Sequence, residues 1–313
     1  MKRNIYSYSK LWIIFFVLMG AACTNQVEDA IPVSGQPIGF SVQSDWKEIP
    51  NTRSNDGKTQ FKAGDKIQIF GFHKSLSGDE VKFMYRVGGS ESDQRARGQI
   101  VKLEGGNWNY SPKRFWPKEG TLDFYASYPE YSVLNDKTNH NKMTYKQDVN
   151  SLQLDLLWGV STGHNCTKDR SSNVVITMKH ALARVNITFD SSLGEIKQAE
   201  VSAYNAGYFD KTDTTDGIPN WKVEDTSDIV TATLSPYEDQ ETIGDATVFI
   251  LPDRITGLKL IKLDGRTEID VSDKIQKYTF EAGKVYNLTI SKGVQKKNTN
   301  SRSIAMSVRC VSE

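Results

Sequence analysis

An all-β protein is expected from three observations. Apolar side chains recur at every second position in many short runs, and turn clusters separate those runs. No window of helical length carries a 3.6-residue apolar stripe. The 313 residues suit two domains at roughly 150 each. Short, evenly spaced strands favour packed antiparallel layers over a parallel sheet, so two tandem β-sandwich domains are predicted.

Taken in order, residues 1–22 read as an export signal. Lys2, Arg3 and Lys10 precede an unbroken apolar run from Leu11 to Met19, too short to span a bilayer. Gly20, Ala21 and Ala22 then lead into Cys23, a pattern that resembles a bacterial lipoprotein signal. By that resemblance Cys23 is freed and acylated, which tethers the chain to a membrane; the alternative is a plain secreted protein. Residues 23–36 carry few aliphatics and suit a flexible tether.

The first predicted strand alternates through Ile38, Phe40 and Val42. Others follow at 66–72, along Val81, Phe83, Tyr85 and Val87, at 99–103, and along Leu122, Phe124, Ala126 and Tyr128. Asn55-Asp56-Gly57, Gly88-Gly89-Ser90 and Gly105-Gly106 are turn signals between them. A β-run from Val174 to Phe189 is too long for one strand, and reads as the close of one sandwich and the start of the next. The predicted domains are therefore 37–180 and 181–313. In the second, Ala183, Val185, Ile187 and Phe189 alternate, with further strands near 246–251, 258–263 and 284–290.

Charge excludes one class of partner. With 39 Lys+Arg against 38 Asp+Glu the formal charge is +1, and loss of the signal's three basic residues makes it slightly negative. Nucleic acid is not an expected partner. Three cysteines are too few for a disulfide scaffold; Cys166 and Cys310 are either a pair or buried thiols.

Catalytic motifs are missing from the sequence: no G-x-S-x-G, H-E-x-x-H, C-x-x-C or phosphate-cradling glycine loop occurs. His164 and Cys166 stand two apart, but two ligands do not make a zinc site. Asp210, Asp213 and Asp216 recur every third residue, whereas a calcium loop of the EF-hand type needs every second. Asn186-Ile187-Thr188 and Asn287-Leu288-Thr289 fit a glycan-acceptor pattern that carries no weight in a bacterial chain. No enzyme activity, metal or cofactor is expected.

Several segments in sequence resemble the fimbrillin family of Bacteroidetes, the shaft and accessory subunits of type V pili. They are Thr52-Arg53, Phe61 to Gly71, Trp116-Pro117, Leu122 to Pro129, Asp155 to Gly159, Lys179 to Ile187, and Phe280 to Tyr286. The resemblance implies two sandwiches of transthyretin-like Greek-key topology, exported as an outer-membrane lipoprotein lipidated at Cys23. It also implies that an arginine-specific protease cuts near the N-terminus and removes the first strand. A strand from another subunit then fills the groove.

This sequence offers a residue for each role. Arg53, followed by Ser54, lies in a polar loop suited to cleavage, although an uncut loop arginine looks the same, and Arg95 and Arg97 also sit in polar stretches. At the other end Ile304, Met306, Val308 and Cys310 alternate, forming a candidate donor strand over 304–310. The alternative is that this tail pairs within its own domain. The expected function is a surface fimbrial subunit supporting adhesion, with other fimbrial subunits as partners. Alternatives are a tip or anchor accessory subunit, or a surface lipoprotein that binds glycan through Trp46, Trp108, Trp116 or Trp221.

Overall fold

The computed structural model describes residues 31, 33–44, 60–87, 96–147, 152, 154–224, 226–236, 240–293 and 306–312. Cys23, Trp46, Arg53, Ser54 and Ile304 lie outside the described residues.

The chain is nearly all strand. The N-terminal half runs β1 (Val33–Pro37), β2 (Phe40–Ser44), β3 (Lys66–Lys74), β4 (Glu80–Met84), β5 (Gln99–Glu104), β6 (Asn107–Asn109), β7 (Phe115–Pro117), β8 (Thr121–Tyr128), β9 (Val133–Asn135), β10 (Lys142–Lys146), β11 (Leu157–Asn165) and β12 (Val174–His180). After the two-residue break at Ala181 and Leu182 come β13 (Ala183–Phe189), β14 (Ile196–Tyr204), β15 (Ala206–Asp210), β16 (Thr214–Thr215), β17 (Ile218–Pro219), β18 (Lys222–Val223) and β19 (Ile229–Leu234). The chain closes with β20 (Asp245–Ile250), β21 (Ile255–Lys262), β22 (Glu268–Asp270), β23 (Val285–Lys292) and β24 (Met306–Ser312).

The N-terminal layers are joined edge to edge into a ring. The order β3-β5-β6-β2-β12-β11-β8 returns to its start because β8 also pairs with β3, at Gln68↔Ser127 through Lys74↔Thr121. β4 adds to the upper part of β3. The result is a flattened barrel whose interior holds Ile67, Ile69, Leu122, Phe124, Val174 and Ile176. Closure removes the unpaired edges that an open sheet would present.

The C-terminal half is a two-layer sandwich. Sheet β20-β13-β23-β24 faces sheet β19-β14-β21-β22 across a core that includes Val185, Ile187, Val201, Leu258, Leu260 and Leu288. Period-two alternation explains both layers: Val185 and Ile187 point inward from β13, while Thr188 is exposed.

A third layer joins the halves. β9 and β10 pair with β15 and β18, so strands from both halves form one four-stranded sheet. Beneath it lies a core of Phe70, Phe72, Tyr125 and Trp158 from the barrel with Phe209, Phe249 and Leu251 from the second half. The Trp158 and Phe209 rings meet edge to face at 4.9 Å. This cover explains why β3 is buried at every position between its terminal lysines, a pattern unlike a half-exposed strand. Gln147 ties the same joint, donating from Nε2 to Phe249 O at 2.9 Å and accepting from Leu251 N–H at 3.3 Å.

Candidate assembly site

β2 is the stave of the barrel that lies upstream of Arg53. On one side it runs parallel to β12, from Val174↔Phe40 to Met178↔Ser44. On the other it meets β6 at one pair, Phe40↔Trp108. Ile38 and Phe40 are almost fully buried, and Val42 packs on the same core. The Phe40 ring meets Phe124 edge to face at 5.3 Å and Tyr110 at 5.7 Å.

Backbone partners are supplied mostly from outside the ladders. Ile38 N–H donates to Arg114 O at 2.9 Å and Val174 N–H to Gly39 O at 2.8 Å. Tyr110 Oη donates to Ile38 O at 2.8 Å, and Trp108 Nε1 to Val42 O at 3.3 Å. Burial pushes the Tyr110 phenol up to about 12, so it stays a neutral donor throughout the physiological range. Gly39 leaves room for Asn173, whose Oδ1 would lie 2.2 Å from a Cβ there. Taking β2 away would leave the facing edges of β6 and β12 without a ladder partner beside Phe124, Tyr110 and Trp108. Burying side chains the size of Ile38 and Phe40 stabilises by about 1.5–3 kcal/mol each, so such a gap favours refilling.

The tail lies in the other half. β24 pairs antiparallel with β23 from Tyr286↔Ser312 to Lys292↔Met306, at the end of its sheet. Cys310 is half-buried against the sandwich core and Val311 is exposed. Burial raises the Cys310 thiol above its ordinary value. Stave and tail therefore belong to different sheets, and one molecule does not bring them together.

The remaining residues singled out in the sequence have structural surroundings. His164 meets Ser161 Oγ at 2.9 Å and lies against Trp116 and Phe124. Desolvation lowers its pKa. Cys166 is buried in the barrel core and its thiol is pushed up to about 11 by that burial. Cys166 and Cys310 are both free thiols, held in separate cores. Asp210 caps its own turn by accepting from Thr212 N–H and Oγ1, and Asp213 accepts from Asn220 Nδ2. Among the described residues no group of three or more His, Cys, Asp or Glu side chains could hold a metal ion. Asn186 Nδ2 donates to Asn287 Oδ1 at 2.9 Å, so both asparagines of the acceptor patterns are engaged with each other.

Three of the four tryptophans offered for a glycan platform are turned to structural use, and the fourth, Trp46, lies outside the described residues. Trp108 and Trp116 are buried in the barrel core. Trp221 packs against the joint and donates from Nε1 to Ala181 O at 2.6 Å. Large aromatics in sandwiches and barrels are drawn inward by their area, and sequence alone does not separate them from exposed ones.

One buried charge gave no sequence signal. The Lys211 side chain is fully buried, with Nζ 2.7 Å from Glu80 Oε1 and 2.7 Å from Asn141 Oδ1. It lies 4.1 Å from the Phe72 ring centroid. A lysine next to Asp210 and Thr212 reads as a solvated turn, and only the approach of β4 from the other half buries it.

Residues 52–305 match the sequence profile of fimbrillin-like proteins. No protein among the curated sequences matches. Among solved structures, a Bacteroides uniformis protein provisionally assigned to cell adhesion aligns at TM-score 0.52 and 18% identity, covering 88% of this chain and 97% of that one. A Bacteroides ovatus protein with the same assignment aligns at 0.51 and 14%, covering 88% and 95%. The fimbrial anchor protein Mfa2 of Porphyromonas gingivalis lies further off, at 0.41 and 12%, covering 88% and 97%. At such identities what the first two share with this chain is the fold. With the profile running through the barrel, the joint and most of the sandwich, the chain belongs to the fimbrillin-like family.

Proposed function

We propose that this protein is a structural subunit of a surface fimbria, assembled by protease-triggered strand exchange and serving cell adhesion. The observation that carries the reading is the place of β2: a wall strand of the barrel, upstream of Arg53, paired to β6 at one position. Cleavage between Arg53 and Ser54 by an arginine-specific protease would cut the covalent link between β2 and the rest of the barrel. The lipid on Cys23 would leave with it, having held the precursor on the outer membrane until then.

The tail has the chemistry of a replacement. Ile38, just ahead of β2, and Phe40 and Val42 on it fill the barrel, and Ile304, Met306, Val308 and Cys310 repeat the same period-two apolar pattern in the sequence. Donation from one copy to the next is heterologous and does not close, so it gives an open filament. The family consists of structural adhesion proteins rather than enzymes, and fimbrial partners at the cell surface follow from that membership.

A second reading, an accessory tip or anchor subunit, is favoured by the pairing of β24 with β23 along its whole length. A chain that keeps its tail at home accepts a strand without donating one.

The test is direct. Residues 24–313 are treated with a trace of arginine-specific protease, then run unheated on a denaturing gel, with mass spectrometry of the new N-terminus. Cleavage at Ser54 with a ladder of resistant multimers is the expected result, and Arg53→Ala abolishes it. A folded monomer that is cut without a ladder overturns the polymerising reading in favour of the accessory one.

A further inference from the structure

We propose that Lys211 and Asn141 join covalently, through an isopeptide bond that Glu80 catalyses, and so lock the two halves of the chain at the joint. The three side chains come from separate segments. Glu80 opens β4, Asn141 lies in the connection from β9 to β10, and Lys211 directly follows β15. Lys211 Nζ stands 2.7 Å from Asn141 Oδ1, 2.7 Å from Glu80 Oε1 and 3.3 Å from His140 O. An amine, the amide it attacks and a carboxyl able to carry protons between them therefore meet at one atom.

The backbone sets this meeting. β10 and β15 pair up to Lys142↔Asp210, and one step beyond, Lys211 N–H donates to Asn141 O at 2.8 Å. Buried Asn135 braces the Asn141 connection, donating from Nδ2 to His140 O at 2.9 Å and to Lys142 O at 3.2 Å. On the other side Lys74↔Glu80 is the last pair of the β3–β4 ladder, which anchors the carboxylate beside the amine. Phe72 and Tyr125, both almost fully buried, wall the site, with ring centroids 4.1 and 5.8 Å from Nζ. The Lys211 side chain is wholly enclosed while Asn141 is exposed, so a small leaving group has a way out to water.

The step balances without an added reagent. Freshly folded protein carries the ion pair, and Glu80 takes a proton from the Lys211 ammonium to start the reaction. That transfer turns a buried pair of charges into two neutral groups, a change that an apolar wall opposes less than water does. The Nζ lone pair adds to Asn141 Cγ, and the carbonyl electrons move onto Oδ1. Glu80 gives its proton to Nδ2 and takes one from Nζ. The Cγ–Nδ2 bond breaks as the Oδ1 double bond re-forms, and ammonia leaves, carrying off the proton on Glu80 as ammonium. An ammonium and a primary amide have become a secondary amide and an ammonium ion.

Proximity makes the reaction feasible. Cγ lies one C=O bond, about 1.2 Å, beyond Oδ1, so it is no more than about 4 Å from Nζ. Holding reactants in contact is worth about 10⁵–10⁸ M in effective concentration, and general acid–base help adds about 10²–10⁴-fold. The bond closes residues 141 to 211 into a ring that contains the break between the halves at Ala181 and Leu182. It depends on the joint alone, whether or not β2 is exchanged.

The experiment is an intact mass of residues 24–313, freshly purified and after prolonged storage at neutral pH, followed by trypsin digestion and tandem mass spectrometry. Expected is a mass about 17 Da below that of the sequence, one ammonia. Trypsin should then leave Lys211 uncut and yield residues 138–142 joined to 198–222. Linked protein should melt at a higher temperature than unlinked, because the ring restricts the unfolded chain. Glu80→Gln and Lys211→Met, checked by thermal melting to be folded, should keep the full mass, whereas Asn141→Asp should still link, with loss of water. Full sequence mass in the parent chain at both times overturns the proposal, whatever the variants do. So does a deficit of one ammonia without the joined peptide, which marks a cyclised asparagine, and so does linkage in Glu80→Gln as complete as in the parent.

Discussion

Barrel and sandwich use the same strand chemistry and treat their edges in opposite ways. The barrel closes on itself through β3 and β8, with β4 left as the end strand of the same sheet. The sandwich stays open, and β24 is the last strand of its sheet. On the strand-exchange proposal the strand to leave is β2, which the barrel grips unevenly, with five ladder pairs to β12 and one to β6. On that proposal a ringed acceptor and an open donor edge would limit random strand addition while leaving one controlled way to add a strand.

The strongest way to break the comparison is to remove the stave. A chain beginning at Ser54 should lose the cooperative transition of the barrel and bind a hydrophobic dye. A peptide of residues 24–53, or of 304–313, should restore the transition. In the intact chain Phe40→Ala should cost about 3–5 kcal/mol in denaturant unfolding, since its ring is fully enclosed. A cost under 1 kcal/mol would mean that β2 is not part of the core wall.

The two thiols sharpen the comparison, because each reports on one half. Cys310, half-buried in an end strand, should react with a thiol reagent at least about tenfold faster than Cys166, buried in the barrel. Cleavage at Arg53 should speed Cys166 alone, whereas release of the tail should speed Cys310 alone. Simultaneous acceleration of both would show that the halves open together.

A smaller effect tests the joint. Glu80→Gln leaves the buried ammonium of Lys211 with neutral acceptors and should cost about 2 kcal/mol; Lys211→Met should cost less, because it removes the charge itself. Smallest is the acid response of the β9–β10 turn. The Asp136 carboxylate is held down to about 2 by backbone donors of Asn139 and Thr138, and by the Thr138 hydroxyl. Its contribution to stability is present above the ordinary carboxylate value and fades as pH falls from about 4 towards 2. Asp136→Asn should flatten the acid limb of the melting curve slightly.

Much of the fold was legible because half-buried strands announce themselves. Phe40 and Val42 alternate on β2, continuing from Ile38 just ahead of it, and Ala183 to Phe189 alternate on β13. The break at Ala181 and Leu182 resolves a β-run too long for one strand into two. The joint was illegible for a physical reason. Its strands are short, β9 with three residues and β18 with two, and are cross-linked between halves far apart in sequence. Its key polar residues, Gln68, Gln147 and Lys211, are buried by partners from elsewhere, so their identity suggests solvent.

The shared sheet also has a consequence for how the chain is made. Phe70, Phe72, Tyr125 and Trp158 face outward from the barrel, and their cover draws Val133, Met143 and Tyr145 from the first half and Phe209, Phe249 and Leu251 from the second. As the chain is made, the first half therefore emerges with this aromatic face only partly covered, and completion of the cover waits for β15 and the residues that follow it. A nascent chain of about 200 residues is sticky in a way the finished molecule is not. Truncations that stop short of β15 should accordingly aggregate more readily than the full chain.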